Sequence, residues 1–139
     1  VQITRVAAVD DGDHPIESIG TGESLKIAIE LSSHVRLESP VIRVQLETIS
    51  GETVWSTSTQ RGASTLRVLD GPARALLHLP SVPLAEGTYY VSVSVADATG
   101  NTEYDHCQHW AKLHVTDGQP NDGGIVAMAS TWAIGRQKT

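Results

Sequence analysis

The chain has 139 residues and a mass of 14.8 kDa, a size typical of one domain with one core. Hydrophobic residues make up 40% of it and aromatic residues only 4%, with no Phe, so the predicted core consists of Val, Leu, Ile and Ala and favours β-structure. Ten Lys and Arg against sixteen Asp and Glu give a net charge of −6. No long-range positive field exists to attract a phosphate backbone, which argues against nucleic acid as a partner.

Cysteine content and hydropathy exclude two further classes. The single cysteine, Cys107, excludes an intrachain disulfide and any site built from several cysteines. The longest nearly apolar stretch, 125–134, is far shorter than the roughly 20 residues that span a bilayer. The sequence begins at Val1 directly inside a strand-like pattern, which suggests a domain cut from a longer polypeptide.

Alternation of apolar and polar residues dominates the chain and predicts β-strands. The clearest case is 25–31, where the odd positions are apolar; the other predicted strands are 3–9, 41–49, 54–59, 73–79, 89–95, 104–115 and 125–132. Turn signals separate them, among them Asp70-Gly71-Pro72 and Thr99-Gly100-Asn101. About eight short strands with regular turns predict an all-β, two-sheet antiparallel β-sandwich of immunoglobulin-like or jelly-roll type at 1–116.

The C-terminal part reads as a separate unit. A polar, Gly- and Pro-containing linker at 117–123 precedes a final strand at 124–134 and a tail at 135–139. A tethered strand of this kind protects sheet edges if it pairs with a second copy, which predicts a domain-swapped homodimer. The alternative is an edge strand that packs on its own chain. The predicted dimerisation residues are Gly124, Val126, Met128 and Trp132.

Catalytic and cofactor motifs are missing from the sequence. No G-x-S-x-G elbow is present to expose a nucleophilic serine. Gly20-Thr21-Gly22-Glu23 leads into a predicted strand and not into a helix, so we interpret it as a turn and not as a phosphate-binding loop. We therefore expect no catalytic residue and no cofactor.

Two clusters resemble metal sites, and we expect neither to bind metal. His106-Cys107-Gln108-His109 contains good zinc ligands, but strand alternation directs His106 and His109 to opposite sides unless a bulge intervenes. Asp10, Asp11 and Asp13 lack the spacing and terminal Glu of a calcium loop and are interpreted as a solvated turn.

The strands on either side of Gly100 carry the best candidate for a binding surface. If the hairpin folds about its turn, Ser94 faces Gln108, Ser92 faces Trp110 and Ala96 faces His106. Small side chains beside a Trp, with hydrogen-bonding groups at the rim, suit a sugar ring, which has apolar faces and polar edges. The alternative is that Trp110 packs under a loop or at a dimer contact. The predicted carbohydrate-binding residues are Tyr90, Ser92, Ser94, His106, Gln108 and Trp110, with Arg43 and Gln45 from a neighbouring strand.

From Ile3 to Trp132 the sequence resembles the C-terminal carbohydrate-binding domain of Wzt-type polysaccharide ABC exporters. The resemblance rests on strand order, on Leu84-x-x-Gly87-x-Tyr89, on Asp105, and on Gly124-x-Val126-x-Met128-x-x-x-Trp132. It implies an immunoglobulin-like sandwich that exchanges its last strand, sits behind an ATPase domain of the same chain, and recognises a finished lipid-linked glycan. It also implies a cytoplasmic location at the inner face of the membrane, beside the membrane permease.

The sequence thus predicts non-catalytic recognition of a polysaccharide for export. Two alternatives stay open. The first is a structural domain whose role is dimerisation and spacing, with no ligand of its own. The second is a glycosidase or accessory domain, which requires two carboxylates about 5 to 10 Å apart in a cleft.

Overall fold

Eight strands form the regular structure of the part described by the computed structural model, which comprises residues 1–60, 66–116, 124–126 and Trp132. None of these residues belongs to a helix long and apolar enough to cross a bilayer. In chain order the strands are β1 (Gln2–Val9), β2 (Ser18–Gly20), β3 (Leu25–Glu38), β4 (Val41–Thr48), β5 (Thr53–Ser58), β6 (Val68–Leu79), β7 (Gly87–Ala96) and β8 (Glu103–Thr116).

The strands form two sheets, which confirms the predicted all-β sandwich. One sheet has the order β1-β3-β6, and the other has the order β2-β8-β7-β4-β5. Every pair is antiparallel except β2 with β8, which is parallel. β2 itself was not predicted, because three residues with one buried side chain, Ile19, are too short for alternation to be visible.

The core lies between the sheets and consists mainly of the residue types that composition predicts. Val91, Val93 and Val95 of β7 belong to one buried cluster with Ile27 and Ile29 of β3. Between these residues the alternate positions of β7 point away from the core. This alternation gives the five-stranded sheet a second, outward side on which polar residues collect.

The predicted turn at Asp70-Gly71-Pro72 is wrong, because these residues lie inside β6. Gly71 has a φ of 79° and pairs with Ser33, next to an irregularity in the register of β3 and β6. A proline lacks the N–H that a central strand needs, but β6 is the edge strand of its sheet. An edge strand can therefore contain residues that would be predicted as a turn from the sequence alone.

Asp105 ties the two sheets together along the side where β1 approaches β8. Its Oδ2 accepts a hydrogen bond from the backbone N–H of Ile3 at 2.7 Å, and its Oδ1 accepts one from the N–H of His106 at 2.9 Å. On the opposite side the sandwich has an apolar groove of about 290 Å³ between β5 and the segment after β6. The groove is lined by Leu46, Val54, Trp55, Leu79, Ser81, Val82, Pro83, Leu84 and Val126.

The aspartates after β1 are exposed, as predicted for a turn, but two of them also make ion pairs. Asp11 lies 2.9 Å from the ammonium of Lys26, and Asp13 contacts the guanidinium of Arg74. Asp10 accepts hydrogen bonds from the N–H groups of Gly12 and His14. The turn is thereby anchored to the three-stranded sheet.

Candidate functional site

The candidate site is the outer face of the five-stranded sheet, the side that points away from the core. Pairing of β4 with β7 sets Arg43 opposite Ser94, Gln45 opposite Ser92 and Glu47 opposite Tyr90. The expectation that the strand of Arg43 and Gln45 lies beside the hairpin is therefore confirmed. Three rows of side chains run across this face, one for each pair.

The predicted register of the hairpin is correct at one end and wrong at the other. Tyr90 pairs with Lys112, as the symmetric hairpin requires, but Ser94 pairs with His106 and not with Gln108. Ala96 pairs with Glu103 and not with His106. The change occurs at Ser92, which faces the three residues 108–110 of β8, because Val91 pairs with Ala111 and Val93 with Cys107.

This bulge brings His109 onto the outer face. His109 has a φ of 51°, in the left-handed region that side chains other than glycine rarely adopt. Its imidazole stacks on the ring of Tyr90, with ring centroids 4.9 Å apart and an interplanar angle of 24°. His106 and His109 therefore lie on one face. A regular strand would direct them to opposite sides, and the bulge is the exception that the sequence analysis allowed for.

Beside the stacked rings, the buried side chains of Glu47 and Ser92 form a polar cluster with the half-buried His109. Glu47 is only 6% exposed and Ser92 only 2%. The Ser92 hydroxyl donates a short hydrogen bond to Oε1 of Glu47 and accepts one from the backbone N–H of His109 at 2.9 Å. One serine thus links β4, β7 and the bulge of β8.

The cluster also holds one unsatisfied polar atom. Nε2 of His109 is buried without a hydrogen-bond partner and lies 3.7 Å from Oε2 of Glu47. Ser92 is buried, and both of its hydrogen bonds are made inside the protein, so its hydroxyl supports the outer face from below.

Beyond Ser94 the outer face ends in a depression of about 470 Å³. It contains four of the predicted binding residues, Arg43, Gln45, Ser94 and His106. Its far wall is the turn between β7 and β8, together with Gln60, whose amide donates to the carbonyl of Ala98 at 2.9 Å. The lining is mostly polar, and it also includes Val41, Ala96, Asp97, Ala98, Thr99, Gly100 and Glu103.

Asp97 stabilises the turn that forms this wall. Its Oδ1 accepts hydrogen bonds from the Thr99 hydroxyl at 2.8 Å and from the N–H groups of Thr99 and Asn101 at 3.1 Å. These bonds, that of the Thr99 hydroxyl above all, hold the pKa of Asp97 below its usual value. The carboxylate is therefore charged and already occupied by its own turn.

The remaining predicted residues lie near the bulge, outside the depression. Trp110 is 44% exposed, and Gln108 is also exposed. The described residues contain no group of three or more His, Cys, Asp or Glu side chains positioned to hold a metal ion. The expectation of no metal stays a prediction.

The C-terminal residues that the structure describes contact their own chain. The N–H of Ala85 donates to the carbonyl of Ile125 at 2.6 Å, and Leu84 bridges to Val126. Gly124 has a φ of 87°, and Trp132 is 89% exposed. Met128 lies outside the described residues, so the exchanged strand stays a prediction.

Sequence reasoning missed Glu47 and His109 as parts of the site. Alternation places Glu47 on the outward side of its strand with Arg43 and Gln45, but Glu47 was not included among the predicted binding residues. His109 reaches Glu47 only because of the bulge in β8, and no residue pattern in the sequence predicts that bulge. A strand position that calls for an L-residue at positive φ carries no sequence signal comparable to glycine.

A family model described as the Wzt C-terminal domain matches residues 1–128. A crystal structure of the C-terminal domain of Wzt superposes with a TM-score of 0.81 over 95% of this chain and 82% of that one. The two sequences are 17% identical, so this likeness shows the fold alone. No curated protein matches the chain. Membership of the family is consistent with a non-catalytic part in polysaccharide export by an ABC transporter. Since the family model spans all but the last eleven of the 139 residues, 129–139, the chain belongs to the Wzt C-terminal domain family.

Proposed function

We propose that this chain is a non-catalytic module that recognises a polysaccharide on the outer face of its five-stranded sheet and presents it to an ABC transporter. The observation that carries the proposal is that one sheet holds both a polar depression and, near the bulge, the exposed Trp110 and the half-buried Tyr90. The parent protein would carry an ATPase domain that works with a membrane permease. The ligand would be a lipid-linked glycan at the cytoplasmic side of the membrane.

The chemistry of the outer face suits a sugar polymer. In the depression, Arg43 donates only, whereas Gln45 and Ser94 both donate and accept hydrogen bonds, as sugar hydroxyls require. Toward the bulge, Tyr90 and Trp110 offer flat apolar surfaces for the C–H faces of a ring. Polar and aromatic parts follow one another along the strands, as a chain of several sugars would need.

Affinity for a single sugar is expected to be weak. Each hydroxyl exchanges a hydrogen bond to water for one to the protein, with a net gain of about 1 kcal/mol. Two sites in a dimer strengthen binding only when one polymer or one membrane surface engages both. The face thus favours long or clustered glycans over free monosaccharides.

The decisive experiment measures binding of the polysaccharide extracted from the organism that carries this chain. We expect Trp110→Ala to abolish detectable binding and Trp110→Tyr to retain part of it, because stacking needs a ring. Trp55→Ala is the matched control, since Trp55 lines the apolar groove and not the outer face. Circular dichroism checks the fold of each variant. Wild-type affinity in a folded Trp110→Ala variant contradicts the proposed surface.

The proposal includes a homodimer formed by exchange of the C-terminal strand at 124–134. It is supported by the contact of Ile125 and Val126 with the segment at Leu84, beside an apolar groove, and by the exposure of Trp132. A Trp that is 89% exposed in one copy has apolar surface available for a second copy. Light scattering should give a dimer mass for the full chain and a monomer mass after truncation at Asn121. A monomeric full chain at micromolar concentration contradicts strand exchange.

The second candidate function is a structural dimerisation domain without a ligand. The same apolar groove and exposed Trp132 favour it, since neither belongs to the outer face. The two functions give different results in the binding experiment. A dimer that binds none of the extracted polysaccharide supports the structural role.

A further inference from the structure

Charged residues are distributed unequally between the two sheets. Seven Lys and Arg residues lie in the described part of the chain, and four of them make ion pairs. All four lie on the three-stranded sheet, where each has an acid within 4 Å. These pairs are Arg5 with Glu30, Lys26 with Asp11, Arg36 with Glu38, and Arg74 with Asp13.

On the outer face of the five-stranded sheet, three acids already have partners inside the protein. Glu47 accepts from Ser92 and lies beside His109, as described above. Glu103 lies 3.4 Å from Nδ1 of His106. Asp97 is occupied by the N–H and hydroxyl groups of its own turn.

The two cations of the same face make no ion pair within the described part of the chain. Arg43 is exposed in the depression, where its backbone partner is Ser94. Lys112 is exposed at the other end of the face, next to Tyr90. Glu17 and Lys112 line a second, separate surface depression but do not form an ion pair with each other. Arg43 and Lys112 are therefore charged groups of this face whose side chains remain open to a ligand of opposite charge.

We propose that the outer face takes an anionic glycan, with Arg43 and Lys112 as separate contacts for acidic groups on the polymer. This inference rests on the function proposed above and names the class of polymer. The two cations are four residues apart along β7 and two strands apart across the sheet, which corresponds to about 16 Å. The contacts therefore engage different sugars of one chain.

The chemistry of each cation defines what it recognises. The planar guanidinium of Arg43 pairs with two oxygens of one carboxylate or phosphate, whereas the ammonium of Lys112 acts as a point charge. With a net charge of −6, the whole protein repels a polyanion at long range. Attraction must then come from these local contacts, which makes it sensitive to salt and to single substitutions.

The test uses the extracted polysaccharide in three forms: untreated, with its carboxyl groups reduced to alcohols, and with its phosphate groups removed. We expect the wild-type chain to bind the untreated form more weakly as NaCl rises from 20 to 300 mM. Loss of binding on carboxyl reduction identifies a sugar acid as the ligand group. Loss on phosphate removal identifies a phosphorylated sugar instead.

Arg43→Gln and Lys112→Gln should each weaken binding of the untreated polymer about three- to tenfold, the range for one charge-assisted contact at an accessible site. Each effect should shrink toward zero with the neutralised polymer, because the charge on both sides is needed. Arg36→Gln is the matched control, since Arg36 is an exposed cation on the other sheet.

Two results overturn the inference in distinguishable ways. Unchanged affinity after both chemical treatments, or in both face variants, shows that the charge of the polymer is not recognised. The proposed function then survives, provided that Trp110→Ala still abolishes binding. If the untreated polymer does not bind the wild-type chain at all, the inference and the proposed function fail together.

Discussion

Replacing Ser92 with alanine removes one hydroxyl that the protein uses twice. The hydroxyl donates to the buried carboxylate of Glu47 and accepts the N–H of His109 at the bulge. The alanine methyl can do neither, and at 2% exposure the site admits no bulk water as a substitute. Both Glu47 and the His109 N–H therefore lose a partner at once.

The expected loss of stability follows from this count. A buried polar group without a hydrogen bond costs about 1–3 kcal/mol. Two such groups give a loss of about 2–6 kcal/mol, a large part of the roughly 5–15 kcal/mol that stabilises an ordinary domain. For a domain of this size the melting temperature should fall by about 6–24 °C.

Urea unfolding followed by circular dichroism measures this loss. Ser94→Ala is a closely matched control, because Ser94 lies two residues away on the same strand and face and makes no side-chain hydrogen bond within the described part of the chain. It should change the free energy of unfolding by less than about 0.5 kcal/mol. If Ser92→Ala also stays within that limit, Ser92 does not support the outer face as argued.

Three further predictions concern the frame of the site. Asp105→Ala should lower the free energy of unfolding by about 1–3 kcal/mol, because the Ile3 N–H loses its acceptor between the sheets. Thermal melts check this prediction, and an unchanged Tm would mean that water replaces the carboxylate. The low pKa of Asp97 means that its contribution to stability is present above about pH 4 and is lost as the pH falls through its lowered pKa. Asp97→Asn should therefore melt below the wild type at pH 6, and the difference should shrink as the pH is lowered, whereas a difference that does not change with pH would contradict a role for the charge. Chelation with EDTA should leave the melting temperature unchanged, because metal ligands do not cluster in the described part of the chain; a fall of several degrees would require a site elsewhere.

Alternation in the sequence predicted the strands that carry most of the fold. A strand with one face on a core must place apolar side chains at every second position, so Ile27, Ile29 and Leu31 mark β3 without any knowledge of its neighbours. The same argument assigned Arg43, Gln45 and Ser94 to outward positions, and the structure brings them into one depression. Inward and outward sides are local properties of a strand and can be read from the sequence.

Tertiary structure decided which outward residues meet and which are accessible. The two extra residues of the bulge place His106 opposite Ser94 and stack His109 on Tyr90. Ser92, which faces the bulge, is buried. The bulge is stabilised by contacts that come from other strands, here the hydrogen bond of the His109 N–H to the Ser92 hydroxyl, which in turn donates to the carboxylate of Glu47. Alternation depends only on the strand itself, so the sequence alone determined which side chains point inward and which point outward. Pairing between strands depends on contacts distant in the sequence, so only the folded chain determined which outward side chains meet in the candidate site.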